Sequence, residues 1–172
     1  MRARGRHARK STLSERLRAG LPGVISAVIA LAIFTLTSQT PEVTSSESGF
    51  MNDLMVSLLG WIPGLYDPAT GLWLGIGIRH WAHAVEYGAL GLSVAHAAKS
   101  AMGRRTIAPG MAALAICAGF SLFDQCHRLF VPGRHFDPFD LAMDALGYGV
   151  AVVVVMGVGW LLRGCGRVRR DC

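Results

Sequence analysis

Arg79, His80, His83, Glu86 and Tyr87 recur at helical spacing, and at 100° per residue they occupy an arc of about 120°. Trp81, Ala82, Val85 and Ala89 fall on the opposite arc, so one face can titrate and hydrogen-bond while the other is expected to meet lipid. A second group, Asp124, His127 and Arg128, shares a face at i, i+3 and i+4. A third, Asp140 and Asp144, lies in line with Gly147 and Ala151, small residues that let another helix come close. The chemistry these groups could perform is proton transfer, with Glu86 or Asp144 as general base, His83 or His127 as shuttle and Asp124 beside them. Arg79, Arg128 and Arg134 could grip a phosphate or carboxylate, with Tyr87 and Asp140 completing a ligand-binding set. A metal on His83, Glu86, Asp124 and His127 is chemically reasonable, but those ligands are split between two helices. No metal is assigned and no cofactor is identified. Structural roles account for part of the set. Asp137 before Pro138 reads as a helix N-cap, Asp140 suits the positive end of the helix dipole, and Arg128 suits a helix end reaching water. Asp144, a turn further in, has no such explanation.

The elements that must position these groups are membrane spans. The chain has 172 residues, 52% hydrophobic and 16% charged, with a mean hydropathy of +0.40, too apolar for an ordinary soluble or disordered domain. Apolar runs at 21–37, 79–98, 107–123 and 139–162 predict an all-α, four-span transmembrane helical bundle. The first run resembles a signal peptide core but is longer than most and lacks an A-x-A site, so it is read as a retained span. The outer segment 38–78 starts as a polar loop, TSQTPEVTSSES. It continues at 50–66 into a short interfacial helix, because Gly60, Pro63 and Gly64 stop a fifth crossing.

Charge sets the orientation. Fourteen of the seventeen Lys and Arg lie in the N-terminal stretch, the 99–106 loop and the C-terminal stretch, which places both termini of a multi-pass protein in the cytoplasm. The division is a basic tail at 1–20, a transmembrane domain at 21–162 and a basic tail at 163–172. Nine of eleven acidic residues fall at the outer ends. The basic clusters carry no interleaved aromatics, which argues against a nucleic-acid partner. Cys117, Cys126, Cys165 and Cys172 form no CxxC pair and read as incidental thiols.

The stretches RHWAHAVEYGALG at 79–91, DQCHRLFVPGR at 124–134 and DLAMDALG at 140–147 resemble the VanZ-like family of bacterial membrane proteins, and TSQ at 37–39 resembles that family's first outer loop. The resemblance carries His83, Glu86, Tyr87, Asp124, His127, Pro132, Gly133, Arg134, Asp140, Asp144 and Gly147 onto the family's polar positions. His80 stands where a Lys is expected, and Gln125 and Arg128 stand where the family has Glu and Gln. The resemblance implies an envelope role, its named member conferring low-level teicoplanin resistance. Three functions follow as expectations. The first is an outer-leaflet site for a membrane lipid or lipid-linked cell-wall precursor. The second is a membrane enzyme acting on a lipid-linked substrate, although no Ser elbow and no HExxH motif supports it. The third is a non-catalytic scaffold whose polar stripes specify packing. Oligomeric state is left open.

Overall fold

The computed structural model describes residues 13–102 and 106–168. Of the expected basic tails, 1–12 and 169–172 lie outside the described residues, as do 103–105 of the basic loop. The chain is all-helical apart from one small hairpin. The helices are α1 (Leu13–Thr37), α2 (Pro41–Leu59), α3 (Ile78–Met102), α4 (Ala108–Arg128) and α5 (Pro138–Val168), and β1 (Tyr66–Asp67) pairs antiparallel with β2 (Leu72–Trp73). Three segments are long and apolar enough to cross a bilayer: Gly20–Thr37, Ala108–Arg128 and Pro138–Trp160. Helix α3 is as long as α1, at 25 residues, but its polar face lowers its hydropathy. It packs against α1, α4 and α5, and so lies at the centre of the bundle.

Ile33, Leu90, Val94, Ala113, Cys117, Val152 and Val155 build a shared apolar core. Large apolar side chains also cover the outside: Val28 on α1, Val85 on α3, Ile116 on α4 and Val153 on α5 are all exposed. An apolar exterior round an apolar core is stable where the solvent is hydrocarbon. Val85 thus faces outward as its arc predicts. Ala82, expected on the same lipid-facing arc, instead borders a polar cavity.

Glycines set the α3–α5 spacing. A Cβ on Gly147 would collide with the Ala84 carbonyl oxygen, and it would lie 2.9 Å from Gly88 N. One on Gly91 would lie 2.8 Å from Tyr148 Cα. The small-residue stripe through Gly147 and Ala151 is therefore where two backbones meet.

The outer segment departs from the expected loop and short helix. Residues 41–49 are not a loop: Thr40 is the extended N-cap, Pro41 occupies the first turn beside Glu42, and α2 runs on to Leu59. The helix then ends at Gly60 rather than reaching 66, and a hairpin follows. Asp67 closes that hairpin by accepting from Ala69 N and Thr70 Oγ1, bonds that hold its carboxyl below the usual range. Trp73 is buried and ties three elements together: its Nε1 donates to Asn52 Oδ1 on α2 at 2.9 Å, and its carbonyl accepts from Trp81 Nε1 on α3 at 3.0 Å. Trp73→Phe keeps an aromatic ring but a smaller one, and removes the bond to α2. It is expected to cost about 1–3 kcal/mol, the lost bond plus the gap left by the missing ring, and to speed amide exchange most in α2, read by hydrogen–deuterium exchange.

The Asp137–Pro138 start of α5 is as expected, with Phe139 N donating to Asp137 Oδ1 at 2.9 Å. The C-terminal ends of α1 and α4 and the N-terminal ends of α3 and α5 consequently share one end of the bundle.

Candidate functional site

At that end four helices contribute to one buried polar cluster. Asp140, fixed in the first turn of α5, is its hub. Its Oδ2 accepts from Arg79 Nη2 at 2.9 Å and from Arg128 Nη1 at 2.6 Å, and its Oδ1 lies 2.7 Å from His80 Nδ1, which must be the donor because a carboxylate only accepts. Arg128 also donates from Nη2 to His83 Nε2 at 2.7 Å. That bond uses the Nε2 lone pair and puts the imidazole proton on Nδ1, which lies 3.1 Å from Asp144 Oδ1. Asp144 Oδ2 accepts from Ser121 Oγ at 2.6 Å. Asp124 accepts from Thr37 Oγ1 at 2.5 Å, and its other oxygen lies 3.8 Å from Arg128 Nε.

Asp124, Arg128, Asp140 and Asp144 are fully buried. Buried charges persist only when paired and hydrogen-bonded. Three buried carboxylates face two guanidiniums, those of Arg79 and Arg128, and the remaining negative charge is met by donors from Thr37, Ser121 and His80. The arrangement is therefore a closed lattice of charge, already saturated at most of its oxygens.

Beside it opens a cavity of about 480 Å³ between α1, α2 and α3. Arg79, His83, Glu86, Arg128 and Arg134 supply its charged and titratable wall on one side, and Leu36, Phe50 and Met51 give it an apolar side. A second cavity, of about 380 Å³, adjoins it and shares Arg79 and Arg134. Arg134 is held by the chain it reaches: its Nε and Nη2 donate to the Gln39 carbonyl at 3.1 and 3.0 Å, and its Nη2 also bonds Thr44 Oγ1. Among the described residues it has no carboxylate partner. Burial disfavours its charged form, and the neighbouring Arg128 and Arg79 add repulsion. Arg79 Nε is likewise a buried donor with no acceptor among the described residues. Glu86, on the same wall, forms no hydrogen bond or ion pair with a described residue.

The expected site residues thus fall into three sets. His83, Asp124, Arg128, Asp140 and Asp144 come together in the buried cluster. Glu86 and Arg134 face the cavity, and Arg79 belongs to both, bonding Asp140 while it lines the cavity wall. Tyr87 and His127 stand at the margins of the cluster: Tyr87 has its ring buried in the apolar core against Phe120 with its hydroxyl beside Ser121 of the cluster, and His127 turns toward α1, its ring 4.5 Å from Phe34. His127 leaves the face it was expected to share because Phe34 and Phe123 flank its ring. The set weighed as metal ligands is not assembled either; among the described residues, His80, Asp137 and Asp140 alone bring ligand atoms within 4.8 Å of one another. Those Asp140 oxygens already accept from Arg79, Arg128 and His80, so the set is built as an ion-pair node.

Sequence reasoning missed Thr37, Ser121 and Gln125. Thr37 and Ser121 satisfy two of the buried carboxylates, and Gln125 Oε1 accepts from Asp137 N at 3.4 Å to tie α4 to the start of α5. Thr37 stood at the head of the TSQ motif. Ser121 carried no comparable signal, being a single hydroxyl in an apolar run.

No curated protein and no solved structure matches this chain significantly. A family profile described as VanZ/LLP1 matches residues 24–162, which takes in α1 from residue 24 on, the outer segment and every residue of the cluster. With its apolar helices and that match over most of its length, the chain belongs to the VanZ/LLP1 family.

Proposed function

We propose that this VanZ/LLP1 protein crosses the cytoplasmic membrane four times, with α3 as the fourth crossing and both termini inside. Its cavity holds the anionic group of a lipid or lipid-linked wall precursor at the outer leaflet, changing what a glycopeptide such as teicoplanin can reach. The distribution of Lys and Arg supports the orientation, since fourteen of seventeen then lie on the cytoplasmic side.

The observation that carries the binding function is Arg134. It is a guanidinium without a carboxylate partner among the described residues, on a wall shared by two cavities, beside a second guanidinium whose Nε has no acceptor among them. An anion placed there relieves the repulsion among Arg134, Arg79 and Arg128 and accepts from guanidinium forks suited to phosphate or carboxylate. The apolar side formed by Leu36, Phe50 and Met51 suits the hydrocarbon part of such a ligand.

In this reading His83, Asp124, Asp140 and Asp144 hold the arginines in place rather than react: Asp140 and His83 accept from Arg128, Asp140 also from Arg79, Asp124 lies within ion-pair range of Arg128, and Asp144 backs the His83 ring. Arg134→Ala in the full-length protein is expected to weaken binding of a lipid-linked wall precursor and of phosphatidylglycerol by roughly tenfold to a hundredfold, the loss of one charge-assisted contact. It is also expected to remove any effect of the protein on teicoplanin susceptibility. Unchanged binding in a folded variant rejects the assignment.

A further inference from the structure

The cavity that holds the three arginines also holds an acid, and that acid is free. Glu86 follows Arg79 by seven residues on α3, two turns further along the same helix face, about 10 Å along the axis. Ala82 and His83 lie between them on the same wall, and the His83 imidazole is already taken up by Arg128 and Asp144. Every other acid on the cluster's side of α3 has donors: Asp140 has Arg79, Arg128 and His80, Asp144 has Ser121, and Asp124 has Thr37. On the opposite wall Glu47 accepts from Gln39 Nε2 at 3.3 Å. Of the two carboxylates that line the cavity, Glu86 is the one left without hydrogen bond or ion pair among the described residues. A carboxylate inside a helical bundle is costly unless a positive or hydrogen-bonding group meets it.

A cavity with guanidiniums at one end of the α3 wall, a carboxylate without a hydrogen bond at the other and apolar side chains of α1 and α2 facing them is polarised. A purely anionic ligand would satisfy the first end and leave the second unmet. We infer that the ligand is zwitterionic, a phosphate joined by a short spacer to a primary ammonium, with Arg134 and Arg79 on the phosphate and Glu86 accepting from the ammonium. A two-carbon spacer with a hydrogen bond of about 2.8 Å at each end falls within the separation that the helix imposes. A primary ammonium brings three donors to the carboxylate, whereas a neutral diol brings weaker ones and a quaternary ammonium none. Glu86 is therefore the residue that sets specificity, and the arginines supply the general affinity for phosphate.

This assignment rests on the anion-binding function proposed above, and two variants separate them. The full-length protein is placed in phosphatidylcholine nanodiscs containing equal small amounts of phosphatidylethanolamine and phosphatidylglycerol, and the lipids retained after extraction are counted by native mass spectrometry. Wild type is expected to retain phosphatidylethanolamine over phosphatidylglycerol by roughly tenfold, the scale of one charge-assisted contact. Glu86→Gln, of nearly equal size, is expected to bring that ratio to about one while phosphatidylglycerol stays bound, which also shows that the variant is folded. Arg134→Ala is expected to lose both lipids. A preference that Glu86→Gln leaves intact, or a wild type that favours phosphatidylglycerol, overturns the zwitterion assignment while the anion site stands. A wild type that retains neither lipid overturns both. Soluble phosphoethanolamine is then added as competitor. Release of phosphatidylethanolamine supports recognition of the headgroup chemistry from either source, and retention supports the same chemistry presented by a lipid.

Discussion

Arg128→Met is expected to eliminate the folded protein rather than weaken its binding. Arg128 is completely enclosed and bonds Asp140 and His83 while lying within ion-pair range of Asp124. Methionine fills much of the space but supplies none of the charge. Asp140 would keep Arg79 and His80, whereas Asp124 would keep only the Thr37 hydroxyl and His83 would lose the donor that fixes its tautomer. Removing one partner of a buried pair costs about 3–5 kcal/mol, comparable with the whole stability of a small domain. The measurement is the yield and thermal unfolding of detergent-solubilised protein. Adding Asp124→Asn to Arg128→Met is expected to recover part of the loss, because it withdraws the carboxylate left with a single hydroxyl donor. A single variant with wild-type stability would mean that the cluster does not hold the helices together.

Gly147→Val is the second large effect. The site has no room for even one added carbon, since the Ala84 carbonyl and Gly88 N already occupy that space. Overpacking a rigid contact costs about 1–3 kcal/mol and sometimes more, and here the obstructing atoms are backbone, so no rotamer change can relieve them. The helices must separate, drawing Asp144 on α5 away from His83 on α3. Gly149→Ala is the control within the same turn of helix. A Cβ there meets nothing within 4 Å, so it is expected to be neutral or slightly stabilising through helix propensity. Paired thermal melts decide it, and equal losses from both variants would refute the close-approach explanation.

The helices of the bundle were legible in the sequence because continuous apolar runs have few alternatives, and the cap at Asp137 and the close approach at Gly147 follow from local chemistry. Helix α2 was misread because Ser, Thr and Pro at 40–46 look like loop. Yet Thr40, Pro41 and Glu42 form an ordinary helix start, and composition outweighed position in reading them. The cluster was legible as three facing stripes, since charges within apolar helices require partners. Which stripe members meet was not legible. An arc of about 100° on α4 spans two neighbours, so Arg128 reaches inward while His127 reaches α1. Thr37 and Ser121 were invisible for a related reason. A lone hydroxyl can bond its own helix backbone anywhere, and only the arrival of Asp124 and Asp144 from other positions recruits it.

Helix α2 contains no buried side chain and is fastened by a few polar ties, from Arg134 to Thr44 and from Trp73 to Asn52. Breaking bonds worth about 0.5–1.5 kcal/mol each is far cheaper than parting α3 from α5. The molecule is thus a rigid frame with one loosely hung panel, and an amphiphile can be admitted by swinging that panel aside while the charged frame stays shut. Where Arg134 grips an arriving anion instead of the Thr44 hydroxyl, occupancy itself unfastens the panel, so exchange in its amides rises as the ligand is added.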